Sequence, residues 1–253
     1  MPDLTARRAR VFGEVADEYE RFRPGYPAAL VDDVLAYANL GGASALEVGA
    51  GTGKATVAFV ERGVDVTALE PDARMAAVLR GRVGPHVTIA VTPFEEYLPD
   101  KAFGLVYSAQ AWHWVNPETR WRHAIAALAP GGALALFWNG NRPADPAVVE
   151  AMSAAHKAYA PDTEVAIMPD NFGTNDYTEL VEHPGFTDLV HRLYKSERRL
   201  SAEDYLAYLG TTSGYRVLDD ATRTRVFDTI GAALGDEVVL TVRTALALAR
   251  PKP

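Results

Sequence analysis

Between Ser44 and Trp138 the chain alternates short apolar runs with stretches of mixed, helix-like polarity. The runs are Ser44–Gly49, Asp65–Leu69, Val87–Val91, Phe103–Ser108 and Ala133–Trp138, each followed by a turn and a more polar segment. Runs this short read as buried strands, and strands alternating with helices predict a parallel sheet with crossover helices. Two helices are predicted before it. One spans Arg8–Arg21, with Val11, Phe12, Val15 and Tyr19 at helical spacing; the other spans Pro27–Asn39, with proline in its first turn. Both are expected to cover the opening edge of the sheet.

Beyond Trp138 the texture changes to Asn139-Gly-Asn-Arg-Pro-Ala-Asp-Pro, then a helix-like stretch to Tyr159 and a Pro/Asp/Asn-rich loop, Ala160–Gly173. A connection of this length and composition is expected to form a lid. A strand at Phe186–Arg199, a helix opened by the capping box Ser201-Ala-Glu-Asp, a helix near Asp219–Leu234 and a final strand at Glu237–Leu248 complete the pattern. The expected organisation is one domain over 1–253: N-terminal helices at 1–40, a core at 41–139, a lid insertion at 140–185, and C-terminal strands and helices at 186–253.

Composition narrows the chemistry. A chain of 253 residues that is 48% apolar can bury a sizeable core. A net charge of −8 argues against nucleic acid as a partner, because such binding rests on Lys and Arg neutralising phosphates. With no cysteine, neither a cysteine-ligated iron–sulfur cluster nor a cysteine nucleophile is available. His86, His123, His156, His183 and His191 show no metal-ligand spacing, so no metal is assigned. No run approaches the roughly 18 apolar residues of a membrane helix, and the basic N-terminus does not lead into an apolar leader core. The default expectation is a cytoplasmic enzyme with no membrane partner.

Candidate chemistry centres on Glu47-Val48-Gly49-Ala50-Gly51-Thr52-Gly53, where the first strand turns into a helical pattern beginning near Lys54. Glycines there let the backbone turn sharply and approach a ligand closely. A phosphate-binding loop would need glycine at Val48 and Ser or Thr at Ala55, and has neither. The dinucleotide fingerprint is met at Gly49 and Gly51 but finds Lys54 at its third glycine. What remains is Glu-x-Gly-x-Gly-x-Gly, followed at the end of the second strand by Glu70-Pro71-Asp72-x-x-Met75. A carboxylate at Glu70, 19 residues past Gly51, can accept both hydroxyls of a ribose.

These motifs resemble those of the class I S-adenosylmethionine-dependent methyltransferases. The block Val106-Tyr-Ser-Ala-Gln-Ala-Trp-His-Trp114 resembles the small-molecule branch that includes trans-aconitate methyltransferases. The resemblance covers most of residues 8–138. It implies a Rossmann-like α/β fold with a seven-stranded, mostly parallel sheet, a reversed final strand and a helical lid insertion. It also implies S-adenosylmethionine as cofactor. Gly49, Ala50, Gly51 and Gly53 would pass under the methionine portion, Glu47 would support its amino end, and Glu70 with Pro71 would hold the ribose. Met75, Phe94 and Glu95 would lie by the adenine. Gln110 is placed with the cofactor contacts at the end of the fourth strand, and Arg23 is a candidate cation near the cofactor carboxylate.

For the acceptor, His113 is the candidate catalytic base, since neutral imidazole can take a proton from a hydroxyl. The competing reading is a packed histidine between two tryptophans. Trp112 and Trp114 are candidate pocket walls, although aromatic core is the commoner fate of such residues. Asn139 and Tyr215 are candidate substrate contacts by the rule that ligands sit outside the carboxyl ends of parallel strands. The expected activity is direct methyl transfer to an oxygen, carboxylate or nitrogen of a small molecule. The alternatives are an NAD(P)-dependent oxidoreductase, which lacks a Tyr-x-x-x-Lys pair at Tyr107, and a noncatalytic protein that binds the same cofactor.

Overall fold

The computed structural model describes residues 11–85, 87–161, 163, 167–169, 172–173 and 178–252. His86 and residues 8–10 of the first predicted helix therefore lie outside the described residues, as does part of the predicted lid loop. The strands are β1 (Ala45–Val48), β2 (Val66–Leu69), β3 (Val87–Ala90), β4 (Phe103–Ala109), β5 (Leu128–Pro143), β6 (Phe186–Ser201) and β7 (Glu237–Pro251). They form one seven-stranded sheet in the order β3-β2-β1-β4-β5-β7-β6. β1 pairs in parallel with β2 and β4, β2 with β3, and β4 with β5. The sheet is mixed, with the final strand reversed and inserted between β5 and β6.

The helices are α1 (Ala16–Phe22), α2 (Ala28–Ala38), α3 (Lys54–Val60), α4 (Ala73–Arg82), α5 (Arg120–Ala127), α6 (Pro146–Tyr159), α7 (Thr178–Glu182), α8 (Ala202–Gly210), α9 (Ser213–Arg216) and α10 (Asp220–Gly231). A 3-10 turn, Val11–Val15, leads into α1 where one continuous helix was expected. α5 begins three residues after Pro117, which opens no helix. Asn116 occupies the turn instead: its carbonyl accepts the Thr119 and Arg120 amides, and its Oδ1 accepts the Glu118 amide. Elsewhere side chains cap the helix starts, at Ser201 as predicted. Asp72, Asp145, Ser201 and Asp219 each accept a backbone N–H of the first turn of α4, α6, α8 and α10.

The chain sorts into two compact units. A sheet unit comprises Gly25–Asn139, Gly173–Tyr194 and Thr244–Pro253; a helical unit comprises Met1–Pro24, Gly140–Phe172 and Lys195–Arg243. The division falls inside β5, β6 and β7, so the second unit gathers three separate stretches of sequence. In the sheet unit β1 and β2 are buried throughout and β4 along nearly its whole length. Ala45 of β1, Ala68 of β2, Leu105 and Tyr107 of β4 and Phe137 of β5 join Leu30, Val34 and Phe59 from the helices in the unit's core. All four tryptophans, at 112, 114, 121 and 138, belong to this unit. The helical unit has its own core, in which Val148, Met152 and Ala155 of α6 share a cluster with Val226 and Ile230 of α10 and with Tyr205, Tyr208 and Tyr215.

Candidate functional site

β1 and β2 run side by side with Glu47 opposite Ala68 and Val48 opposite Leu69, so the turn after β1 and the carboxylate after β2 emerge together. The amides of Gly49 and Ala50 both donate to the Leu69 carbonyl at 2.9 Å, tying the turn to the neighbouring strand end. Gly49 has φ 72°, and a Cβ there would stand 2.3 Å from the Ala111 Cβ. Gly53 has φ 87°, and its Cβ would stand 2.3 Å from Leu79 Cδ1 of α4. Both positions therefore need glycine for backbone conformation and for space. Gly51 differs, because the nearest atom to its Cβ position is Met75 Cε at 3.5 Å. Room remains on that side of the turn.

Two buried carboxylates flank the turn. Glu47, 0% exposed, accepts from Thr56 Oγ1 at 2.5 Å and from Tyr107 Oη at 2.9 Å, both at Oε2. Its buried Oε1 has no protein partner. Burial pushes the group up to about 8; the two hydroxyl donors pull it back and the charge of Glu70 adds to the rise. Tyr107 stands opposite Glu47 in the β1–β4 register, and burial together with the Glu47 charge pushes its phenol well above the ordinary value. Glu70 accepts the Gly51 amide at Oε2 and the Asp72 amide at Oε1, each at 2.8 Å. Burial raises it to about 6 against the pull of these two bonds. An ionised carboxylate has about four acceptor positions, so Glu70 keeps capacity on both oxygens.

The remaining candidates of the sheet unit fall into place around these. Ala50 is buried in the turn, Pro71 is exposed, and Met75 is buried on α4. Phe94 is buried, its ring 6.1 Å from Trp112 and 5.9 Å from His123. Glu95 Oε1 accepts the Asn116 amide at 2.6 Å, joining the turn after β3 to the loop after β4. Gln110 ends β4 with φ 61°, unusual outside glycine; its amide donates to the Phe137 carbonyl and its Nε2 to the Asn139 carbonyl. Asn139 is held at both ends of its side chain, accepting from Thr244 Oγ1 at 2.6 Å and donating to the Gly25 carbonyl at 3.0 Å.

The aromatic loop divides. Trp112 is buried, its ring 5.2 Å from Trp121, with the Arg120 guanidinium 5.9 Å from its centroid. Arg120 donates to the Trp112 carbonyl at 3.1 Å and pairs with Glu179. His113 is exposed, 4.4 Å from the half-exposed Trp114 ring. The histidine thus leans on one tryptophan, while the other points into the protein. Arg23 and Tyr215 belong to the helical unit. There Arg23 donates to Thr211 Oγ1 and to its carbonyl, both at 2.9 Å, and its guanidinium lies 5.5 Å from the Tyr208 ring centroid. Sequence reasoning missed Thr56 and Tyr107. A phenol inside the apolar run of β4 and a threonine one turn into α3 were the available signals. Among the described residues there is no cluster of three or more His, Cys, Asp or Glu able to hold a metal, and no helix long and apolar enough to cross a membrane.

Comparison with known proteins places the same segment. Residues 46–136 match a family model described as Methyltransferase domain. An uncharacterized methyltransferase of Mycobacterium tuberculosis is 42% identical over 128 residues, which is 51% of this chain and 51% of the relative. The chain thus matches these curated relatives over about half of their length. A solved structure from Anaeromyxobacter dehalogenans, described as a candidate type II methyltransferase, aligns with a TM-score of 0.66 at 26% identity, over 90% of this chain and 98% of that one. An S-adenosylmethionine-dependent methyltransferase from Thiobacillus denitrificans, solved with S-adenosyl-L-homocysteine, shares the fold with a TM-score of 0.51 at 14% identity, over 91% and 94% of the two chains.

Proposed function

We infer that this chain, whose residues 46–136 are a methyltransferase domain that takes S-adenosylmethionine as cofactor, is an enzyme that methylates a small-molecule acceptor in the cytoplasm. The observation that carries the reading is the pair of buried carboxylates, Glu47 and Glu70, at the adjacent ends of two parallel strands with an open glycine turn between them. When bound, the cofactor supplies a methyl group on a positively charged sulfur. Glu47 Oε1, buried and without a protein partner, fits the ligand's ammonium group directly or through a water. Glu70, with acceptor capacity left on both oxygens, fits the ribose hydroxyls, and its two backbone bonds hold it in place for them. The turn itself (Gly49, Ala50, Gly51 and Gly53) passes under the methionine portion. Pro71, Met75, Phe94 and Glu95 border the adenine, and Gln110 is a cofactor contact in the turn after β4.

For the acceptor, the exposed His113 is the group able to remove a proton from a hydroxyl, whereas a carboxylate acceptor would need no base. Trp112, Trp114 and Asn139 are its contacts in this reading. Trp112 and Asn139 are already engaged within the sheet unit, so substitution there should affect stability as well as acceptor preference. The small-molecule, trans-aconitate-like branch rests on the block 106–114. Calorimetric titration with S-adenosylmethionine, S-adenosylhomocysteine and NAD tests the reading, with Gly51→Arg filling the open side of the turn. Saturable binding of the two sulfur nucleotides, lost in the variant, is expected. Binding of NAD alone would sink the assignment, and a screen of carboxylate, phenol and amine acceptors then identifies the reaction.

A further inference from the structure

The helical unit buries several side-chain polar atoms with no hydrogen-bond partner among the described residues. Tyr215 is 1% exposed and its Oη has no partner; the buried Nε2 of His156 and Oδ1 of Asn141 have none either. These groups come from α9, α6 and β5. The His156 and Tyr215 rings are 5.2 Å apart, and Asn141 Nδ2 donates to Tyr208 Oη at 3.1 Å. Tyr205 and Tyr208 stack with centroids 6.2 Å apart, and Tyr205 turns its own hydroxyl to Met152 Sδ at 3.1 Å. Around them lie Val148, Ala155, Leu209, Val226 and Ile230, all buried and apolar. Native interiors pair nearly all their buried polar atoms, and three orphans in one apolar shell call for a partner from outside the chain.

We propose that the helical unit carries a recognition site for a neutral molecule bearing a hydroxyl or carbonyl group, with Tyr215, His156 and Asn141 as its polar contacts. This site goes beyond the methyl-transfer reading and stands on the helical unit alone. The polar atoms match a hydroxyl or carbonyl: the Tyr215 hydroxyl donates or accepts, the imidazole does either according to tautomer, and the Asn141 oxygen accepts. The Tyr215 ring itself packs against His156 and, edge-on, against Phe227, each 5.2 Å away. Neutrality follows from the surroundings. Burial lowers the pKa of His156 and raises those of Tyr205 and Tyr215, so the environment resists charge of either sign. The cations near Tyr208 are committed elsewhere: Arg23 binds Thr211, and Arg198, itself lowered by burial, donates to the Phe22 carbonyl at 2.5 Å.

The test is calorimetric titration of the full chain with 4-methylphenol, toluene and benzoate. Saturable binding of 4-methylphenol is expected, with toluene at least about tenfold weaker for want of the hydroxyl and benzoate weaker still. Tyr215→Phe and Asn141→Leu should each weaken the phenol about tenfold, with thermal melts confirming that both variants fold. Equal binding of phenol and toluene, or unchanged affinity in both folded variants, would mean that water alone satisfies these groups and would overturn the proposal. Preference for benzoate would overturn its charge assignment. Titration of wild-type protein with S-adenosylhomocysteine reads the methyl-transfer reading separately, so that failure of one is distinguishable from failure of the other.

Discussion

Glu47 holds a proton at neutral pH that the unfolded chain would release, because burial lifts it from 4.5 to about 8. Across that window the folded state binds more protons than the unfolded state, so this group's contribution to stability falls as pH rises from about 4.5 to about 8. Glu70, raised to about 6, adds the same sign over the lower part of the range. Urea melts at a series of pH values should show stability declining more shallowly in Glu47→Gln than in wild type; equal slopes would refute the shift. If Glu47 receives the cofactor's ammonium, binding favours its ionised form. Cofactor affinity should then rise between pH 6 and about 8, with proton release visible as a buffer-dependent heat. Glu47 and Glu70 were legible in the sequence because motif spacing fixes them. Thr56 and Tyr107 were not, since only the β1–β4 register reveals which side chain of β4 faces Glu47.

At the scale of elements, the turn after β1 and the start of α4 work as one piece, joined by Glu70 between the Gly51 and Asp72 amides. Gly49→Ala would place a methyl 2.3 Å from Ala111 Cβ at φ 72°. Strain and overpacking together should cost ~2–4 kcal/mol, read by denaturant melts. Asp72→Ala removes the cap of α4, which accepts the Arg74 amide at 2.8 Å, and should cost ~1 kcal/mol by the same measurement. A loss below a few tenths would show that the cap is dispensable. Strand positions were read well where apolar runs are bounded by turns. The start of β5 was not, because Leu128-Ala-Pro-Gly-Gly has turn composition, yet Leu128 pairs with Phe103 across an irregular register. Pro117 marks no helix start either: a proline can open a helix, but the backbone bonds to the Asn116 carbonyl hold the chain in a turn as far as α5.

On the scale of the whole molecule, the division into two units was the least legible feature. Periodicity reports which face of an element is buried and says nothing of which distant segment buries it, so Met1–Pro24, Gly140–Phe172 and Lys195–Arg243 gave no sign of belonging together. A ligand held by the sheet unit at a hundred times its dissociation constant should stabilise that unit by ~2.7 kcal/mol. The four tryptophans make the effect separable by optics. Excited at 295 nm, the protein emits only from residues 112, 114, 121 and 138, so a melt followed by indole emission is a private thermometer of the sheet unit, while circular dichroism near 222 nm averages over both. If S-adenosylhomocysteine moves the emission midpoint and leaves a second dichroic transition behind, the two units melt independently; coincident curves that move together would mean that the chain unfolds as one cooperative body.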